Sequence, residues 1–169
     1  QTLDRDHFMT SDEALAWGEK GLAQDKRDLV LLDWFVSACN RAARYERAID
    51  LWRELRGAEK PKDTGEAEKQ LRKKIDDKHP MSQSLLSNIL GNLVFSYTAL
   101  NRYEDALCDL VPEIDYFDSS GLALSNAACL YARTGYDGKA LDKLEAAVQL
   151  GYSREAIAKE TDFDSLRGY

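Results

Sequence analysis

The chain has 169 residues, 44% of them hydrophobic and 31% charged, an ordinary balance for one soluble globular domain. No run approaches the roughly 18 consecutive apolar residues of a membrane helix, and Gln1-Thr2-Leu3-Asp4-Arg5-Asp6 is unlike the basic-then-apolar start of a secretion signal, so no membrane contact is expected. The net charge of −7 is spread as −2 over residues 1–56, +1 over 57–80 and −6 over 81–169, which disfavours nucleic acid as a ligand and favours a basic partner.

In chain order, the clearest signal is an anchor of a polar residue, an alanine and an aliphatic residue: Glu13-Ala14-Leu15, Arg47-Ala48-Ile49, Asp105-Ala106-Leu107 and Lys139-Ala140-Leu141. Ala14 and Ala48 are 34 residues apart, as are Ala106 and Ala140, and the 58 residues between Ala48 and Ala106 are one such period plus 24. Upstream of each later anchor recur Leu32, Leu90 and Leu124, then Phe35, Leu93 and Ala127, then Cys39, Tyr97 and Tyr131. Their three- and four-residue offsets put them on one face of an amphipathic helix. Val36, Val94 and Ala128 are slender residues suited to close helix approach, and Gly18, Trp52, Leu110 and Leu144 fall one turn beyond each anchor. Ala43-Arg44-Tyr45, Asn101-Arg102-Tyr103 and Gly135-Tyr136-Asp137 occupy the turns, with Asn and Gly suited to a left-handed stop. Each period is therefore a helix-turn-helix hairpin, and the fold class is all-α, a stack of antiparallel helix hairpins forming one domain over residues 1–169.

Three segments depart from the period. The charged insertion at about 57–80 carries a helix opened by Asp63 and Glu66, a narrow Leu71 and Ile75 stripe, and the cluster Lys69, Arg72, Lys73 and Lys74. It reads either as a solvated excursion or as a basic arm touching a partner or the acidic C-terminal half. Pro112 predicts an early end or kink in its helix, with Asp118 or Ser119 capping the next. At about 151–169, Ser153 is expected to cap a short helix, and Asp162-Phe163-Asp164-Ser165-Leu166 to close the stack.

The 34-residue unit, with its small and aromatic residues at these places, resembles the tetratricopeptide repeat family, and the closing segment resembles that of bacterial members. The resemblance covers three hairpins and a leading second helix around Ala14. It implies a curved stack whose inner face is lined by first helices, at Val30, Asp33, Ser37, Asn40 and Arg41, at Asn88, Gly91, Asn92, Phe95 and Thr98, and at Leu122, Ser125, Asn126, Cys129 and Arg133. Members that hold a chaperone's C-terminal carboxylate use lysines on this face. Here those places read Asp33, Gly91 and Ser125, so that clamp is absent, although Asn92 and Asn126 keep one matching place. Asn92, Asn126, Arg41 and Arg133 are the expected peptide contacts. Trp17, Trp34 and Trp52 are expected to be packing residues.

No chemistry-bearing constellation competes with this. A nucleophile with its base, a glycine-rich phosphate loop and a metal-type Cys or His cluster are all missing from the sequence, His7 and His79 stand in polar surroundings, and Asp115 with Asp118 lacks the pattern of a calcium loop. Cys39, Cys108 and Cys129 read as reduced, packed thiols, and a cytoplasmic setting is expected on that ground. The expectation is a non-catalytic module without cofactor that binds a protein or peptide. The alternatives are an acidic antitoxin or immunity-type protein masking a basic enzyme, and a structural protein that self-associates through an uncovered N-terminal end.

Overall fold

The computed structural model describes residues 11–24, 28–56, 82–116 and 120–168. The insertion, with its Asp63 cap and basic cluster, lies outside the described residues, as do His7, Asp118 and Ser119. Every regular element among the described residues is a helix: α1 (Ser11–Gln24), α2 (Leu29–Arg41), α3 (Tyr45–Arg56), α4 (Ser82–Ala99), α5 (Tyr103–Tyr116), α6 (Gly121–Arg133), α7 (Asp137–Gln149), α8 (Arg154–Lys159) and a closing 3-10 turn, Thr161–Leu166.

The packing order is that of a hairpin stack. Helices α2, α4 and α6 lie side by side in a row, and α3 and α5 each pack against both their own partner and the first helix of the next hairpin. The recurring stripe makes this order: Leu32, Phe35, Val36, Cys39, Leu90, Leu93, Tyr97, Leu124 and Ala127 are all buried in one continuous core, together with Ala48, Trp52, Ala106 and Leu110. The helix α1 joins it by offering a side with no Cβ, since a methyl on Gly18 would stand 2.3 Å from the Phe35 ring and 3.1 Å from that of Trp34.

Turns between hairpin mates take the left-handed conformation at Asn101 (φ 54°) and Gly135 (φ 77°), as the residue types predict, and also at Ala43 (φ 53°), where the side chain carries a steric cost. The early end expected at Pro112 does not occur. Although proline cannot donate to the carbonyl one turn back, α5 continues to Tyr116, because Leu110, Val111 and Ile114 on either side stay buried in the core. The cap of α6 is Ser120, whose Oγ accepts from the Ala123 amide at 3.1 Å.

A polar network locks neighbouring hairpins. Asp109 on α5 accepts from the Tyr97 hydroxyl at 2.5 Å and from Arg53 of α3 at 2.8 Å, while the Arg53 and Arg102 guanidiniums stand over the Tyr97 ring. Burial, then the Asp109 hydrogen bond, pushes the Tyr97 hydroxyl far above the ordinary phenol value, so it remains a donor. At the C-terminal end Ser153 caps α8 as expected, and Phe163 and Leu166 pack on Ala128, Ala132, Ala140 and Leu144. This second cluster joins the closing segment to α6 and α7.

Candidate functional site, a groove across the first helices

The row of α2, α4 and α6 leaves an open groove with a cavity volume of about 650 Å³, lined by Val30, Asp33, Trp34, Ser37, Asn88, Gly91, Asn92, Leu122 and Asn126. Eight of these nine are among the positions that the family resemblance implies for the inner face. Their spacing along each helix is again three and four residues, but on the side away from the core stripe.

The floor is amide-rich. Asn92 and Asn126 stand one 34-residue period apart on adjacent helices, with Asn88 one turn before Asn92. Gly91 makes room for this arrangement, since a Cβ there would lie 3.2 Å from the Asn126 amide nitrogen. A primary amide supplies two donors and an acceptor, the complement of a peptide backbone. Val30, Leu122 and Trp34, exposed by 54%, 49% and 37%, provide apolar walls. Trp34, which packs on Gly18 of α1, is at the same time a partly exposed groove residue, and Trp17 on α1 is 72% exposed, whereas Trp52 is buried as expected.

Asp33 is the one ionisable side chain among the lining residues. Partial burial raises its carboxyl above the ordinary aspartate value, opposed by a hydrogen bond with the Asn92 side chain.

The remaining expected contacts stand elsewhere. Asn40 has both ends of its amide engaged with α4: its nitrogen donates to the Asn92 carbonyl at 2.8 Å and its oxygen accepts from the buried Ser96 hydroxyl at 2.6 Å. It joins hairpins instead of facing the groove. Arg41 is exposed at the groove's edge, donating to the Ser37 hydroxyl at 2.8 Å. Phe95 is exposed but meets Tyr45 edge-on at 6.0 Å, outside the groove lining, and Thr98 is half-buried outside it too. Arg133 donates to Asp162 of the closing segment and stands over the Tyr103 ring. Ser125 is buried, and Cys129 packs toward the closing cluster, where burial and then Asp162 push its thiol upward.

None of the three cysteines forms a disulfide, but Cys108 is exposed, which corrects the expectation that all three are packed. Among the described residues no group of His, Cys, Asp or Glu side chains is placed to hold a metal ion, and no helix is long and apolar enough to cross a membrane.

The class these elements define is an all-α stack of hairpins carrying an open, amide-lined groove. Comparison with family models, with curated proteins and with solved structures returns no match.

Proposed function

We propose that this chain is a non-catalytic, cytoplasmic binding module of the tetratricopeptide repeat class, whose groove holds an extended segment of a partner protein. The observation that carries this reading is the alignment of Asn92 and Asn126, one period apart, in a single groove. Packed helices lie about 8–10 Å apart, and an extended peptide rises roughly 3.3 Å per residue. Successive asparagines therefore meet the backbone about every third residue, and the side chains between them are free to be read by Trp34, Val30 and Leu122. The 34-residue period and the alternating packing order support the family assignment, and the three unpaired cysteines support a reducing compartment.

The test is selection of binders from a displayed library of random peptides, followed by affinity measurement on the wild type and on the Asn92→Ala, Asn126→Ala double variant, with circular dichroism confirming its fold. The reading expects selected peptides to lose at least tenfold in affinity with the double variant, about 1.4 kcal/mol. Peptides that bind both proteins equally contradict it.

A second reading, self-association through the N-terminal end, is supported by Trp17, which stands largely exposed on α1 beside exposed Ala16. Light scattering over a concentration series separates the two. A mass that rises with concentration and stays monomeric in Trp17→Ser supports self-association, whereas a constant monomer removes it.

A further inference from the structure

The groove is not electrostatically neutral. Among the described residues its lining holds one carboxylate, Asp33, together with the partly exposed indole of Trp34, and no lysine or arginine. Arg41, the base at the groove's edge, follows Asp33 by two helical turns, about 12 Å along α2. Its guanidinium reaches back to the Ser37 hydroxyl, where it is already engaged, and it is not among the lining residues. Asp33, hydrogen-bonded to the Asn92 side chain, thus has no basic neighbour among the described lining residues.

From this charge and this indole, and resting on the reading of the groove as a peptide site, we propose that the α2 end of the groove is a subsite for one basic side chain of the partner segment, arginine in preference to lysine. A guanidinium placed there donates to the Asp33 carboxylate while its flat face lies on Trp34, two interactions that its planar fork makes together and that an ammonium does not. The amides of Asn88, Asn92 and Asn126 hold the adjoining backbone, so the charge contact fixes the register in which the segment lies. The raised carboxyl of Asp33 agrees with this: partial burial disfavours its charge in the empty groove, and an incoming cation relieves that penalty.

Three features fix the choice of occupant. An acidic segment would set its carboxylate against Asp33. A wholly apolar segment would cover Asp33 and leave its charge buried without a cation. A basic side chain satisfies both walls of the subsite.

The experiment uses the best peptide from the random library, with its basic residue changed to alanine and, separately, exchanged between arginine and lysine. Affinities are measured by fluorescence anisotropy on wild type, Asp33→Asn and Trp34→Leu, each first shown by thermal melting to be folded. The expected result is a selected set with a basic residue at one fixed position, mostly arginine. Alanine at that position should weaken binding about tenfold, and Asp33→Asn should produce a similar loss that disappears against the alanine peptide. Peptides that depend on Asn92 and Asn126 but carry no preferred basic position overturn the subsite and leave the groove reading standing, as does an Asp33→Asn effect equal on both peptides. A library that yields no binder, or binders indifferent to the asparagines, overturns both.

Discussion

Replacing Asp109 by alanine removes the acceptor that ties α3, α4 and α5 together. Among the groups that lose it are the Tyr97 hydroxyl, fully buried at 2.5 Å from the carboxylate, and the Arg53 guanidinium, whose Nη2 stands at 2.7 Å. A buried hydroxyl without its partner costs about 1–3 kcal/mol. Arg53 is 38% exposed, so water takes over much of its solvation and its share is at most about 1 kcal/mol. The expected destabilisation is therefore about 1–4 kcal/mol. For a chain of this length each kcal/mol corresponds to a Tm drop of about 2–4 °C. Urea denaturation followed by circular dichroism measures it directly. The discriminating control is Tyr97→Phe, which removes the stranded hydroxyl: the double variant should be clearly less destabilised than the two single losses added together. A loss below about 0.5 kcal/mol for Asp109→Ala, or strict additivity with Tyr97→Phe, would refute the reasoning.

Further expectations follow from the groove, the thiols and the closing segment. Asp33 has a raised carboxyl in the folded state, so its stability contribution is complete below the ordinary carboxylate value and is lost as pH rises through the folded value. Asp33→Asn should accordingly gain in stability relative to wild type as pH climbs from below that range to neutrality, measured by denaturation at each pH, and a pH-independent difference would contradict it. Burial pushes the Cys39 thiol up to about 11, and leaves only about a thousandth of it as thiolate near pH 8; Cys129 is pushed up still further. A thiol reagent should therefore modify exposed Cys108 quickly and the other two only on unfolding, as counted by mass spectrometry, whereas three equal rates would contradict it. Phe163→Ala should cost about 3–5 kcal/mol if the closing segment packs as tightly as its burial indicates. Its denaturation midpoint should fall, and dye binding to the uncovered face of the last hairpin should rise.

The hairpin order was legible from the sequence because a helix's buried stripe repeats every three or four residues whatever lies across from it. Leu32, Phe35, Val36 and Cys39 announce their face without knowledge of α4. The groove was legible to the extent that it is the complement of that stripe. Trp34 was within reach of the same argument, since it stands four residues after Val30 and three before Ser37. Its aromatic character drew it into the core instead. Phe95, Asn40 and Arg133 were not separable from true groove residues, because what removes each is a partner on another helix or segment: Tyr45, Ser96 and Asp162. Their sequence spacing carries no trace of those meetings. The early end expected at Pro112 fails for a related reason, since the missing amide is local whereas the burial of Val111 and Ile114 that holds α5 together is tertiary.

The three tryptophans provide the most direct test of peptide binding in the groove, because each reports a different part of the molecule: Trp17 the exposed side of α1, Trp34 the groove and Trp52 the core. Their indole N–H signals, assigned by substitution, are followed by nuclear magnetic resonance as a library-selected peptide is added. The account predicts that the Trp34 signal shifts in a saturable way while those of Trp17 and Trp52 stay in place. A saturable shift of Trp17 with Trp34 unmoved would contradict it, and would place binding at the N-terminal end.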